Sequence, residues 1–503
     1  MGAKPEKKAS KAPPSAPKTA PIEKHGYEFF GPPGTFILTI VLPIIIYIFP
    51  FVCNDISGCP APSLLHPSTL TLDALKQEVG WPENGLKGLY DTQTTLYVLG
   101  YYLLLLVLQV ILPGEEVDGV PLACGGRHKY KFNSFLSAVL ILGGLAVGSY
   151  LEGPDFIVWS FLWENYIQVI TANLVICTAL AVFVYLRSFT VPAPGQPNPK
   201  HRELAPGGHS GNIIYDFFIG RELNPRITLP IPFVSEASRT LDIKAFFEMR
   251  PGLIGWVIMN LSNMAHQYKI NSGQITISMI LINFFQAFYV LDGLYMEPAI
   301  LTTMDLITDG FGFMLSFGDV VWVPFLYSVQ TRYLAVYPLD IGLWGLAGVL
   351  GVQAVGYYIF RSTNNQKNRF RTNPNDPRVK HLKFIETAAG SKLLISGWWG
   401  RARHINYLGD WVMSWSYCLP TGIAGYLMID QINPTTGLLE KRAVQTPEVR
   451  GWGTPVTYFF MLYFAILLVH RERRDEAKCK RKYGKDWDRY TSIVKSRIIP
   501  GIY

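Results

Sequence analysis

The chain has 503 residues, 49% hydrophobic and 16% charged, and 45 basic against 37 acidic side chains leave a formal net charge of +8. Soluble domains carry nearer a quarter charged residues, so the composition excludes an ordinary soluble protein and indicates a membrane protein. The sequence also lacks a G-x-G-x-x-G after a strand, a Walker lysine loop, an H-E-x-x-H and a G-x-S-x-G elbow, which disfavours the common soluble nucleotide folds and hydrolases.

Residues 1–26 are rich in Lys, Pro, Ala and Ser. They cannot bury a core and are expected to form a disordered basic tail. No apolar segment with a small-residue cleavage site lies within them, so the first span is the targeting signal. Apolar runs follow at Thr35 to Val52, Leu96 to Leu112, Phe135 to Leu151, Ile167 to Leu186, Ile275 to Val290, Ile341 to Phe360, Trp411 to Met428 and Val456 to Val469. Several approach the roughly 20 residues that cross about 30 Å of hydrocarbon. Gly252 to Met264 and Gly310 to Tyr337 are apolar but interrupted by polar residues, and read as packed interior helices. The expected architecture is all-α, a polytopic membrane protein with about ten transmembrane helices.

Basic residues cluster before the first span, after the second (Arg127, Lys129, Lys131) and after the fourth (Arg187, Lys200, Arg202). The positive-inside rule puts these ends and the N-terminus in the cytosol. Cys53 and Cys59 share the opposite side, where an oxidising compartment permits a disulfide. The six cysteines show no metal-ligand spacing.

Ionisable residues inside spans are costly and ask for a reason. Between residues 291 and 340 stand Asp292, Glu297, Asp305, Asp309, Asp319, Gln330 and Arg332. Singly, each reads as an internal pair that holds helices together; as a group they point to a buried polar pocket. Lys367 and Arg371 lie four apart and so share a helix face, where lipid headgroups are the plainer partner. The run SGWWGRARHINYLGDW at 396–411 interleaves aromatic faces with hydrogen-bonding groups, which suits a flat heteroaromatic ligand better than an interfacial belt. From His470 onward a charged helix reads either as a cap over the membrane pocket or as a basic surface helix.

The blocks GDVVWVPFLYSVQTRYL at 318–334 and LLISGWWGRARHINYLGDW at 393–411 resemble the two signatures of the sterol reductases. So do GNIIYDFFIGRELNPRI at 211–227, KAFFEMRPGLIGWVIMNL at 244–261 and HRERRDEAKCKRKYGKDWDRY at 470–490. The resemblance runs over about residues 25 to 503. That family comprises the Δ14, Δ7 and C24(28) sterol reductases of the endoplasmic reticulum and the sterol-reductase portion of the lamin B receptor, and the fungal Δ14 reductases are most similar.

The resemblance implies one sterol-reductase domain over 27–503, a C-terminal part over 339–503 that forms an NADPH pocket, cytosolic termini, and a Δ8,14-diene sterol precursor of ergosterol as substrate. It places NADPH on Lys367, Arg371, Leu394, Trp399, Asn406, Tyr407, Asp475, Cys479, Tyr483 and Tyr490. Membrane lipids are the other expected contacts, and neither nucleic acid nor metal is. An alkene without a carbonyl must be protonated before it accepts hydride, so the site needs an acid. Asp319 with Glu297 are the expected donors, with Tyr295 in the relay and Asp309 and Tyr327 as further candidates. Reduction of another sterol bond (Δ7 or C24(28)), or a non-catalytic sterol-binding scaffold, remains the alternative reading.

Overall fold

A computed structural model describes residues 26–57, 60–193, 196–422, 427–432, 437, 439–444 and 454–503. Cys59 and the basic tail before residue 26 lie outside these; Cys53 is disulfide-bonded.

The principal helices are α1 (Gly31–Val52), α2 (Thr92–Ile111), α3 (Ser134–Glu152), α4 (Tyr166–Ser188), α5 (Ile243–Met249), α6 (Pro251–Ile270), α7 (Ile277–Tyr295), α8 (Phe313–Val336), α9 (Gly342–Thr372), α10 (Ile405–Cys418), α11 (Phe459–Tyr483) and α12 (Lys485–Ile493). Strands occur only as two-stranded antiparallel hairpins among the described residues: β1/β2 (Glu115–Pro121, Arg127–Phe132), β3/β4 (Arg226–Thr228, Thr240–Asp242), β5/β6 (Phe384–Glu386, Lys392–Leu394) and β7/β8 (Leu427–Ile432, Leu439–Val444). The protein is therefore an α-helical, multi-pass membrane protein.

Seven described helical segments are long and apolar enough to cross a membrane, namely α1, Gly85–Ile111 (which takes in α2), Ser134–Asp155 (α3), α4, α7, α8 and α9. The sequence leads to the expectation of about ten, with further spans at α6, α10 and α11. Those three fall short for identifiable reasons. Helix α6 buries Asn260, Ser262, Asn263 and Gln267, α10 has only 14 residues, and α11 runs from an apolar half into HRERRDEAKCKRKY.

One sequence boundary is corrected. The expected span Trp411 to Met428 is helical only to Cys418, because Pro420 and the positive φ of Gly422 end it and a strand begins at Leu427. In the other direction α9 continues through its charged end for 31 residues, about 46 Å at 1.5 Å per residue. That exceeds a hydrocarbon core of about 30 Å, so one end of α9 stands clear of the apolar layer.

The helices are joined by buried polar contacts, since lipid gives apolar faces no reason to associate. Gln286 of α7 accepts from Trp256 Nε1 (3.0 Å) and Asn260 Nδ2 (2.7 Å) of α6, and Thr331 of α8 donates to Asn260 (2.7 Å) and accepts from Asn263 (2.9 Å). Outward-facing Phe36, Ile37, Ile40 and Ile44 of α1 and Leu350, Val355 and Tyr358 of α9 are exposed, as lipid contacts require. Helices α9 and α10 meet backbone to backbone: a Cβ on Gly409 would stand 2.5 Å from Phe360 N and 2.9 Å from Gly356 O.

Candidate functional site

Most of the acids between residues 291 and 340 are committed to ion pairs. Asp292 pairs with Arg361, Asp305 with Arg471 at 3.3 Å, and Asp309 with Arg474. Arg332 lies over the Tyr166 ring at 3.9 Å and donates to the Cys53 carbonyl, while Gln330 donates to the Thr457 carbonyl.

The three expected catalytic residues separate accordingly. Glu297, 3% exposed, receives Arg250 Nη1 on one oxygen (3.1 Å) and the Ser134 amide at the start of α3 on the other (2.8 Å). With one oxygen taken by a buried guanidinium and the other by a helix-start amide, both oxygens of Glu297 are engaged in joining α3 to the segment after α7. Tyr295 is 67% exposed at the end of α7 and packs edge-on against Phe135, away from any acid pair. Asp319 keeps its Oδ2 buried with no hydrogen-bond partner among the described residues.

Asp319 lies in a π-helical turn, Gly318–Trp322, within α8. Such turns widen the helix by one residue and gather at functional sites. The first turn of α6 presses on it: a Cβ at Gly252 would fall 1.7 Å from the Asp319 carbonyl oxygen. One turn earlier in the chain Glu248 closes α5, with Oε2 also buried and unpartnered among the described residues. Burial, followed by the nearby Asp305 and Asp319 carboxylates, raises Glu248 well above the usual carboxylate range, against the pull of Lys244 and Arg471. Lys244 is fully buried, donates to the backbone carbonyls of Asp305 and Asp309 (2.7 Å to Asp309), and is pushed down to about 8 by burial.

A second cluster gathers the residues expected to hold the cofactor. Lys367 Nζ sits 4.1 Å from the centre of the Trp399 ring, whose Nε1 donates to the Thr363 carbonyl at 3.0 Å and so orients the indole. Asp475, Cys479 and Arg371 are within electrostatic range of Lys367. Leu394 and Tyr490 are buried, and Cys479, Tyr483 and Tyr490 pack with Trp487 and Ile385. Arg371 is exposed, while Asn406 Oδ1 is buried without a partner among the described residues.

His404 stacks on Tyr407, ring centres 5.1 Å apart. Asp475 approaches His404 Nε2 only to 3.8 Å, too far for a hydrogen bond. Burial, and then Lys367, Arg403 and Arg497, push the imidazole down to about 3, so it is neutral at physiological pH. Lys367 and Arg371 of α9, Trp399 of the Trp398–Gly400 turn, Asp475 and Cys479 of α11 and Tyr490 of α12 thus lie close together, with Leu394 in the same core as Trp399, Tyr483 packed near Cys479, and Tyr407 within electrostatic range of Asp475.

Arg471 belongs to both clusters. It pairs with Asp305 and lies within electrostatic range of Tyr407 and Glu248. Glu248, Lys244 and Arg471 were not singled out by the sequence, although Glu248 and Lys244 sit in the block KAFFEMRPG and Arg471 in HRERRD. Nothing in spacing separates them from the paired charges around them.

The model of the ergosterol biosynthesis ERG4/ERG24 family matches residues 23–503. The chain is 72% identical to the Delta(14)-sterol reductase erg24B of Aspergillus fumigatus over 93% of this chain and 90% of that protein. It is 58% identical to the Delta(14)-sterol reductase ERG24A of Gibberella zeae, over 97% of this chain and 99% of that protein. Against the Delta(14)-sterol reductase of Neurospora crassa the identity is 56%, over the same shares.

Proposed function

The chain belongs to the ergosterol biosynthesis ERG4/ERG24 family, and from that membership we propose that it reduces the Δ14 double bond of a sterol precursor of ergosterol. High identity over nearly the whole length of relatives named for that activity is the observation that carries the reading. The enzyme is an oxidoreductase that takes a reductant and a membrane-dissolved sterol. We further infer residence in the endoplasmic reticulum membrane with both termini cytosolic, one reductase domain over 27–503, and a cofactor pocket within 339–503.

NADPH is the proposed reductant, and the residues present fit it. Lys367 and exposed Arg371, one helical turn apart, supply the two cations that a 2′-phosphate attracts. Trp399 offers a ring face, and Asn406 Oδ1, buried without a partner among the described residues, offers a hydrogen-bond acceptor. Tyr407, Asp475, Cys479, Tyr483, Tyr490 and Leu394 complete the wall. When bound there, the cofactor would supply hydride to carbon 14.

This chain's own residues supply the proton. An acid O–H protonates carbon 15, the alkene π pair forms the new C–H bond, and carbon 14 is left as a tertiary cation. Asp319 is the proposed donor, with Glu248 beside it taking the place that sequence gave to Glu297 and Tyr295. Burial raises Glu248 well above the usual carboxylate range, the direction that a general acid needs. The spent carboxylate recovers its proton from solvent.

The test incubates purified protein in detergent with NADPH and a Δ8,14-diene sterol and follows nicotinamide absorbance together with sterol mass. Loss of the Δ14 bond with matching NADPH oxidation supports the reading. NADPH oxidation only with a Δ7 or C24(28) substrate would replace it with another regiochemistry.

A further inference from the structure

Helix α9 presents two functional faces, and only one belongs to the cofactor cluster. At 100° per residue, Thr363, Lys367 and Arg371 lie within about 80° of one another. Ala354, Tyr358, Arg361, Asn365 and Arg369 lie on the opposite side. That second face borders a cavity of about 570 Å³, closed by Arg378 and Trp398 from the segment that follows.

The cavity's composition changes along the helix. Toward the middle of α9 it is lined by Ala354, Tyr357 and Tyr358, the last of them 64% exposed. Toward the charged end it is lined by Arg361, Arg369 and Arg378, with Ser362, Asn365 and Gln366 between them. Arg361 is engaged by Asp292 and Arg378 by Asp376, whereas Arg369 forms no ion pair among the described residues. Trp398 stacks edge-on to Tyr358 with ring centres 6.2 Å apart, and Arg401 covers its other side at 5.0 Å. An apolar track that ends in a guanidinium cluster with aromatic walls matches a molecule with acyl chains at one end and a phosphate at the other.

We propose that this cavity binds the headgroup of an anionic phospholipid, with its phosphate on Arg369 and Arg378 and its chains along Tyr358, Tyr357 and Ala354. The site stands back to back with the cofactor cluster. Gln366 Oε1 accepts the Trp398 amide at 2.9 Å, and the next residue, Trp399, carries Lys367 on its ring. The lipid would brace the turn that holds the indole in place.

The experiment reconstitutes the full chain in phosphatidylcholine nanodiscs, adds a graded fraction of phosphatidylinositol or phosphatidylserine, and counts bound lipid by native mass spectrometry. The wild type is expected to retain one acidic lipid in preference to phosphatidylcholine. Each basic residue near a membrane surface contributes roughly a fivefold attraction, so Arg369→Gln with Arg378→Gln should weaken that retention by about thirtyfold. Equal retention of acidic and zwitterionic lipid by the wild type overturns the proposal, and needs no variant. Inorganic phosphate at millimolar concentration tests the other source of the same chemistry: a lipid seated by its chains as well resists displacement, whereas complete displacement identifies a free-anion site and overturns the lipid assignment.

Discussion

Asp319 and Glu248 each bury an oxygen that no described group satisfies, as does Asp242, whose other oxygen caps α5. Asp319→Asn keeps the shape and removes the proton. Turnover is expected to fall by about 100-fold or more, the scale of a positioned general acid, while NADPH affinity measured by calorimetry stays unchanged. Loss of cofactor affinity in step with turnover would instead make Asp319 a packing residue. At the cofactor end, charge-assisted contacts are worth about 1.5 to 3 kcal/mol. Arg371→Met should therefore raise the KM for NADPH by roughly 10- to 100-fold and leave that for NADH nearly unaltered.

His404 sets a pH dependence whose direction follows from its depressed value, about 3 in the fold against 6.5 unperturbed. Between these values the unfolded chain binds the proton and the native chain does not. The contribution is therefore fully present above pH 6.5 and is lost as pH falls toward 3. Thermal unfolding in detergent should shift downward from pH 7 to pH 5, with a shallower slope in His404→Asn. Residue roles of this kind were only partly legible in the sequence. The aromatic and polar run around His404 drew notice by its density, whereas Glu248 looked like any charge at a helix end.

At the scale of elements, the crossing of α9 and α10 carries the proposed cofactor site, because Lys367 stands on one helix and Asn406 and Tyr407 on the other. Gly409 lets the backbones touch, and Gly409→Leu would drive a side chain into Phe360 N. Separation of the helices should abolish NADPH binding and lower the melting temperature together. Element existence was readable from apolar length, which located α1 through α4, α7 and the apolar half of α9 from sequence alone. Element ends were not. Hydropathy sees no difference between a helix that continues and one that a proline and a left-handed glycine terminate, so the run after Trp411 was overextended. The same blindness hid the charged continuation of α9, since only backbone hydrogen bonding tells that a polar segment remains helical.

Across the whole molecule, α11 ties the C-terminal half to the N-terminal one. Arg474 reaches both Asp309 and Glu28, while Arg471 reaches Asp305. Arg474→Met would remove the guanidinium that Asp309, 5% exposed, receives on both oxygens. Stranding a buried partner costs about 3 to 5 kcal/mol, and a drop in thermal stability of that order, recovered in part by adding Asp309→Asn, is the expected outcome. The sequence showed the charges of this cap but not their partners, which lie 165 and 166 residues away at Asp309 and Asp305 and 446 away at Glu28.

The overhang of α9 beyond the apolar layer has a kinetic corollary. The nucleotide proposed for Lys367 and Arg371 arrives from water, where concentration counts molecules per volume, while the sterol is confined to a film, where it counts molecules per area. Adding inert lipid or detergent should thin the second reactant without touching the first. Rates at fixed total sterol should then decline as the film expands, with the half-saturating level of the nucleotide holding constant.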